Sequence, residues 1–372
     1  MNQTEVQPDE APPPDRADVR PVHREVKYRH SREFLPLLER LEASLLVSTY
    51  QAGKLVKVGV HAGQLIISMH NFEQAMGMAV HPRQIAVGSR GMVWLLQNAA
   101  ELAQRLEPAG RYDACYLARK ALVTGNIQGH EMAWVDDELW VVNTSFSCLC
   151  TLSEQHSFVP RWQPPFITAL EAIDRCHLNG LALQDGRPKY VTAMAESNEP
   201  AGWRPTKATS GCVVDVATGE IVTRGLAMPH SPRVHGGRLL VLNSGFGSLE
   251  IVDLQTAKRT GIALMPGYTR GLAFCGDYAF VGLSRIRETA VFGGVPIAEH
   301  RDKLRCGVAV VDLTSGQSVA YLEFQTGVEE IFDVQIVPGA RCPSLTGPFP
   351  LQDAAEDVWV VPSRVIGSTS GK

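Results

Sequence analysis

The sequence has no long hydrophobic run and no marked excess of either charge. None of its apolar segments approaches the ~20 residues that a bilayer-spanning helix requires, and its first residues lack the order of a secretory signal, basic and then apolar. The 372 residues carry 35 Lys and Arg against 39 Asp and Glu, without a basic block. These features predict a cytoplasmic globular protein that binds neither membranes nor nucleic acids.

Cysteine is too scarce for a disulfide scaffold, because only eight occur in 372 residues. Cys148 and Cys150 form a C-x-C pair on one face of a predicted strand, but the paired C-x-x-C knuckles of structural zinc are absent, so we expect reduced, packed thiols. Phosphate-binding loops, dinucleotide fingerprints and G-x-S-x-G nucleophile elbows are absent as well. Their absence argues against nucleotide-dependent and serine-hydrolase chemistry.

The sequence divides into a tail and one folded region. Five prolines among polar residues predict a disordered tail over residues 1–30, followed by a single domain over residues 31–366. The leucine spacing from His30 to Leu45 predicts one amphipathic helix. Beyond it, short apolar segments alternate with turns, which is typical of strands.

Six segments of the strand-rich region share one internal order. They begin at Gln74, His130, His177, His230, Tyr268 and Glu330. The starts are between 38 and 62 residues apart, about the length of a four-stranded propeller blade. The sequence therefore predicts an all-β fold, a six-bladed β-propeller, in preference to a pair of β-sandwiches.

The last segment, from Glu330, has room for only its two inner strands before the chain ends. The segment from Leu45 to Val58 is similar to the outer hairpins of the other units. We therefore expect N-terminal strands to complete the last blade, because this closure removes the exposed edges of an open ring.

Two segments, Val47–Leu55 (VSTYQAGKL) and His177–Ala182 (HLNGLA), carry a resemblance to a known family. The chain resembles a bacterial family of conserved hypothetical β-propeller proteins over about residues 40–365. The resemblance implies the propeller fold. It implies no reaction, because no activity is assigned to that family.

When the six segments are aligned, the position of their first residues is the most polar of all aligned positions. In a propeller each of them enters the innermost strand at the same end of the central channel, so His130, His177 and His230 are predicted to converge. Three neutral imidazoles suit a divalent transition metal, with zinc expected first and iron or copper as alternatives. Glu330 or Tyr268 would handle protons.

This histidine arrangement resembles the peptidyl-alpha-hydroxyglycine alpha-amidating lyase, a six-bladed propeller whose zinc is held by three channel histidines. The resemblance is one of geometry, without a shared linear motif, so the substrate of that enzyme is not implied. Propeller oxygenases that hold iron use four histidines, whereas three are aligned here.

A second set of residues points to an anionic substrate. Arg90, Arg285 and Arg364 follow the second strands of three units in equivalent Ser-Arg positions, and Arg270 follows Tyr268. Guanidinium groups near a channel end would bind a carboxylate or phosphate, and Asn179 is expected to contact the same substrate. Two long insertions, over residues 195–210 and 285–305, are placed to cover the site.

Together these patterns predict a metal-dependent enzyme, a lyase or hydrolase first and an oxidative enzyme next, acting on a small anionic molecule or peptide at the central channel. The alternative is a non-catalytic propeller that binds a protein or peptide partner through its face, because the fold alone does not decide function.

Overall fold

The computed structural model describes residues 25–286, 293–353 and 358–360. Its strands form six separate sheets of four or five strands, and the innermost strands of successive sheets contact one another around a closed ring. The fold is therefore an all-β, six-bladed β-propeller, as the repeat spacing predicted. We number the blades from 1 to 6 in the order of their innermost strands along the chain.

The described chain begins with elements that complete the ring. They are β1 (Tyr28–His30), α1 (Phe34–Arg40), β2 (Ala43–Thr49), β3 (Lys54–His61) and β4 (Gln64–Asn71). Blade 1 follows with β5 (Met78–His81), β6 (Gln84–Ser89), β7 (Met92–Asn98), α2 (Ala100–Ala103) and β8 (Cys115–Val123). Blade 2 comprises β9 (Gly129–Val135), β10 (Glu138–Asn143), β11 (Cys148–Thr151) and β12 (Val159–Trp162).

The next three blades repeat this order. Blade 3 comprises β13 (Leu178–Gln184), β14 (Arg187–Ala193), β15 (Gly211–Asp215) and β16 (Ile221–Leu226). Blade 4 comprises β17 (Pro229–His235), β18 (Arg238–Asn243), β19 (Ser248–Val252) and β20 (Arg259–Leu264). Blade 5 comprises β21 (Tyr268–Cys275), β22 (Tyr278–Ser284), β23 (Cys306–Asp312) and β24 (Ser318–Phe324), and β25 (Asp333–Pro338) and β26 (Ser344–Thr346) follow it. Two 3₁₀ helices span Pro296–Lys303 and Pro350–Asp353.

Blade 6 joins the two ends of the described chain. Its strand order is β25-β2-β3-β4, and Val47 of β2 lies opposite Val334 of β25 in an antiparallel pair. N-terminal strands complete the last blade, as predicted. The predicted division of this blade between the two ends of the chain is wrong, however. β2 occupies the place next to β25, and the described C-terminal residues supply one strand of the blade instead of two.

Two extra strands lie at outer edges. β1 pairs with β24 in blade 5, with Tyr28 opposite Phe324, and β26 pairs in parallel with β8 in blade 1. The predicted tail boundary at residue 30 is therefore too late, because backbone pairing holds Tyr28–His30 on the propeller. An ion pair of 2.8 Å between Arg29 and Glu323 adds to this contact.

The predicted helix from His30 to Leu45 is shorter in the structure. α1 covers only Phe34–Arg40, and β2 begins at Ala43. Glu42 adopts a left-handed backbone with φ 49°, which ends the helical path. Phe34 and Leu38 are fully buried in the core, so tertiary packing retains one short apolar face of the predicted helix.

The core lies within and between the blades, where the strands of neighbouring sheets pack face to face. All eight cysteines are free thiols and seven of them are buried, including Cys148 and Cys150. None of the helices within the described ranges has the length and apolar character needed to cross a bilayer.

Candidate functional site

Three histidines share one end of the channel because the innermost strands all begin there. His130 is the second residue of β9, His230 is the second residue of β17, and His177 directly precedes β13. The ring centroids of His130 and His177 are 4.8 Å apart, and those of His230 and Tyr268 are 5.7 Å apart. The structure thus brings these four predicted residues to one end of the ring.

The alignment of His177 with the other two histidines is wrong by two residues. Three residues share a left-handed backbone at the start of a blade, with φ of 50° at His177, 51° at Gln128 and 50° at Met228. His130 and His230 each follow such a residue by two positions, and Asn179 occupies the equivalent place in blade 3. A shift of two keeps a side chain on the same face of a strand, so the sequence pattern did not reveal the difference.

The tautomer of His130 is set by its neighbours. Its Nδ1 lies 3.0 Å from the carbonyl oxygen of Gln128 and 2.8 Å from Oγ1 of Thr144. Thr144 donates its own hydroxyl proton to the carbonyl of Leu178 at 2.5 Å, so both groups near Nδ1 act as acceptors. Nδ1 therefore carries the proton, and Nε2 carries a free lone pair.

The other two imidazoles are held in the same way. Nδ1 of His230 lies 3.0 Å from the carbonyl of Met228 and 2.9 Å from Oγ of Ser244. Nδ1 of His177 lies 2.9 Å from the carboxylate of Asp174. No hydrogen bond to Nε2 of any of the three histidines is made within the described part of the chain. This anchoring of one ring nitrogen with the other left free is typical of metal-binding histidines.

Burial keeps two of these rings neutral. The pKa of His130 lies well below 6.5 because its ring is removed from water and faces His177 and Arg270. The pKa of His230 is lowered in the same way, first by burial and then by Arg270. Burial also raises the pKa of Tyr268, so its hydroxyl stays protonated and serves as a hydrogen-bond donor.

Arg270 places a buried positive charge beside the histidines. It is only 9% exposed, and its guanidinium carbon lies 3.4 Å from the centre of the Phe332 ring, which in turn lies 5.2 Å from the ring of His130. Nη1 of Arg270 is 3.5 Å from Glu330, and its guanidinium makes no hydrogen bond to other described residues. An anion reaching this end of the channel would find several unused N–H donors.

The insertion over residues 195–210 covers His177. Trp203 from this insertion is buried, its ring lies 4.3 Å from that of His177, and its Nε1 donates to Asp174 at 3.0 Å. Trp203 packs in one hydrophobic cluster with Ile297 and Leu304 from the other predicted insertion. Both insertions thus contribute to the wall at this end of the propeller.

A buried ionic network lies further along the innermost strands than the histidines. Glu131 accepts a hydrogen bond from the backbone N–H of Leu181 at 2.7 Å and pairs with Arg233. Asp333 accepts a hydrogen bond from the backbone N–H of Met78 at 2.8 Å, and burial together with the nearby Glu131 carboxylate raises the pKa of Asp333 to about 7. Because these residues come from different blades, the network links the ring across its axis.

Gly180 leaves the space that this ionic network occupies. A Cβ atom on Gly180 would lie 2.3 Å from Oγ1 of Thr192 and 3.1 Å from Oε2 of Glu131, closer than side chains tolerate. The absence of that atom lets the carboxylate of Glu131 reach the backbone of blade 3.

The other predicted arginines do not gather around the histidines. Arg90 is paired with Glu73 at 3.1 Å and is largely exposed, whereas Nη2 of Arg285 lies 3.5 Å from the carbonyl of Phe324. Both follow second strands at the histidine-bearing end of the ring, but their side chains have separate partners. Arg364 lies outside the described residues.

Asn179 is 2% exposed, and its side chain is hydrogen-bonded within blade 3. Its Oδ1 accepts a hydrogen bond from Thr192 at 2.6 Å, whereas its Nδ2 is buried without a partner in the described ranges. A buried donor of this kind is a place where an ordered water or a ligand atom is expected.

The histidines do not form a closed coordination sphere in this arrangement. Within the residues described, no group of three or more His, Cys, Asp or Glu side chains lies close enough together to hold a metal ion. The metal therefore stays a prediction, supported by the free Nε2 atoms of His130, His177 and His230.

Sequence reasoning missed Asp174, Trp203 and Phe332. Asp174 lies three residues before His177 and could have been found as a local acidic neighbour of a candidate ligand. Trp203 and Phe332 reach the site only through the fold, and no motif marks them.

The chain matches no curated protein. A chain of the crystal structure of the Nidogen/Laminin complex has 9% identity, covering 80% of this chain and 99% of that chain, with a TM-score of 0.49. A protein of unknown function from Bacteroides caccae has 10% identity, covering 79% and 98%, with a TM-score of 0.47.

A match to a family model shows the family of this chain. The family model described as "Domain of unknown function (DUF4915)" matches residues 32–346, which is most of the propeller. The chain therefore belongs to this family of unknown function.

Proposed function

We propose that the protein is a metal-dependent enzyme, a lyase or hydrolase first and an oxidative enzyme next, whose metal is held by Nε2 of His130, His177 and His230. One observation carries this proposal: all three imidazoles are anchored through Nδ1 and leave Nε2 unused. Neutral imidazoles bind divalent transition metals, with zinc expected first and iron or copper as alternatives. Three protein ligands would leave a coordination position for water or substrate.

The substrate in this proposal is a small anionic molecule or peptide. Arg270 would receive its carboxylate or phosphate, because the guanidinium is buried and has unused donors. Tyr268 would donate a hydrogen bond, since its raised pKa keeps the phenol protonated. Glu330, 3.5 Å from Arg270, would accept or deliver protons at the edge of the site.

The alternative is a non-catalytic propeller that binds a protein or peptide partner at this face. The lack of a close group of metal-ligating side chains among the described residues favours it. In that case Arg270 would pair with an acidic group of the partner, and no metal would be needed.

Metal analysis of the purified protein separates these two functions. We expect about one equivalent of transition metal in the wild type, and loss of that metal in a His177→Ala variant that retains its circular dichroism spectrum. His235→Ala is the matched control, because His235 ends β17 and stacks on Phe274 with ring centroids 4.3 Å apart, away from the other histidines.

Less than about a tenth of an equivalent in protein expressed with added zinc, iron or copper would rule out the three-histidine site. Equal metal content in His177→Ala and the wild type would place the ion elsewhere. Either result would leave the partner-binding propeller as the preferred function.

A further inference from the structure

A second cluster with catalytic geometry lies away from the channel, on the outermost strand of blade 6. Oγ of Ser68 is 3.0 Å from Nε2 of His70, and Nδ1 of His70 is 3.5 Å from Oδ2 of Asp353. Ser68 and His70 are alternate residues of β4 and so lie on the same face of the strand. Asp353 is the last residue of a 3₁₀ helix and approaches that face from outside the sheet.

Asp353 is oriented by groups that leave one oxygen for His70. Its Oδ1 accepts hydrogen bonds from the backbone N–H and the side-chain amide of Asn71, at 2.8 and 2.5 Å. Its side chain is 2% exposed and that of His70 is 7% exposed. Nδ1 of His70 and Oδ2 of Asp353 are both buried, and neither makes a hydrogen bond in the described chain. Their separation of 3.5 Å is an ion-pair distance that has to shorten to a hydrogen bond during the reaction.

We propose that Ser68, His70 and Asp353 form a nucleophilic triad that hydrolyses carboxylic esters. The serine is hydrogen-bonded to Nε2, and the carboxylate lies 3.5 Å from Nδ1, on the side of the ring where this chemistry requires it. Ser68 is half-buried while His70 is buried, so the nucleophile is reachable and its base is shielded. Asp353 acts through His70 and is a positioning residue.

The reaction uses only the ester and water. Oγ of Ser68 attacks the ester carbonyl while its proton passes to Nε2 of His70. The bond from the carbonyl carbon to the alkoxy oxygen then breaks, and His70 returns the proton to that oxygen, so that an alcohol leaves and an acyl-Ser68 remains. Water attacks this acyl group, gives its proton to His70, and releases the acid as Ser68 recovers the proton.

A cationic side chain lies on the same face. Lys57 is the cross-strand partner of Ser68, so their Cβ atoms are about 4.5–5.5 Å apart. Lys57 is 1% exposed, and its ammonium group interacts electrostatically with Arg111 and Asp113. Its ammonium group is a candidate for stabilising the negative charge on the carbonyl oxygen during attack.

Labelling with a fluorophosphonate, which reacts with activated serines, tests the proposal directly. We expect an adduct on Ser68 in the folded protein, located by mass spectrometry of peptides, and none on Ser68 in Ser68→Ala. Replacement of His70 by Gln should slow labelling by at least about a hundredfold, because the general base is lost. Ser318→Ala is the matched control, since Ser318 is an exposed strand serine of blade 5.

Asp353→Asn and Asp353→Glu together test the positioning role. The amide removes the carboxylate beside His70, so we expect labelling of Ser68 to slow by at least about tenfold while the melting temperature stays close to that of the wild type. The glutamate restores a carboxylate and should recover part of the labelling rate. Labelling of Asp353→Asn at the rate of the wild type would remove Asp353 from the triad.

The proposal is overturned if Ser68 is labelled only after unfolding, or if labelling in the folded protein does not depend on His70. His235→Ala should label like the wild type, because His235 stacks on Phe274 in another part of the ring. Labelling of Ser68 requires no metal, so the triad and the channel site can fail independently of each other.

Discussion

Two channel histidines, His130 and His230, are kept neutral by their surroundings at a pH where an exposed imidazole would begin to take up protons. Burial is the main cause, and the positive charge of Arg270 adds to it at both rings. Because the folded state binds fewer protons than the unfolded state below about pH 6.5, these residues make the protein less stable as the pH falls. The neutral rings are also the form that binds metal.

We expect both rings to remain neutral at about pH 6 in the folded protein, with the proton on Nδ1. Long-range proton–nitrogen NMR spectra of labelled histidines would show this, and the urea-unfolded chain is the reference. A midpoint near 6.5 for either ring in the folded protein would contradict the prediction. With metal present, protons should displace the ion only well below pH 6.5.

At the scale of the strands, the buried charges of Glu131, Arg233 and Asp333 connect the innermost strands of three blades. Burial and the negative charge of Glu131 raise the pKa of Asp333 to about 7, from 3.8 in water. The folded protein therefore holds a proton on this carboxyl between about pH 4 and pH 7, where the unfolded chain has lost it. The stability contributed by this group is highest at low pH and falls as the pH rises through that interval.

Replacement of Asp333 by Asn should flatten this dependence. We expect the free energy of unfolding of the wild type to fall more steeply than that of Asp333→Asn between about pH 5 and pH 7, measured by urea denaturation. Asp253→Asn is the control, because the exposed Asp253 accepts backbone hydrogen bonds that lower its pKa, and it contributes only at lower pH. Parallel curves for the wild type and Asp333→Asn would contradict the prediction.

At the scale of the whole molecule, the ring is closed by pairing β2 with β25, whose residues are far apart in the chain. The pairing runs from Ala43 opposite Pro338 to Ser48 opposite Asp333. Without β25 the innermost position of blade 6 is empty, and both β2 and the neighbouring blades 5 and 1 lose their packing partner. The stability of all six blades therefore depends on one strand.

A chain that stops at residue 327 should fail to form a cooperatively folded propeller, because it lacks β25. A chain that stops at residue 353 keeps β1 to β26, all the strands that the structure describes, and should melt close to the full-length protein. Thermal melting followed by circular dichroism, together with size-exclusion chromatography, would compare the two. Similar melting of both truncated chains would show that β25 does not close the ring.

The number of blades, their order and the N-terminal closure were predictable from the sequence, because a blade repeats one pattern of short strands and turns. The convergence of His130, His177 and His230 was predictable for the same reason, since equivalent strand positions meet around an axis. The exact position of His177 was not, because a shift of two residues leaves the alternation of a strand unchanged.

Contacts between distant segments required the tertiary structure. Asp353 is 283 residues from His70 in the chain, and no G-x-S-x-G motif accompanies Ser68, so no local pattern joins these three residues. Arg270 over Phe332 and Trp203 over His177 likewise depend on how blades and insertions pack. Strand pattern is local and periodic and can be read along the chain, whereas the partners of a buried charge are set by whichever segments the closed ring brings together.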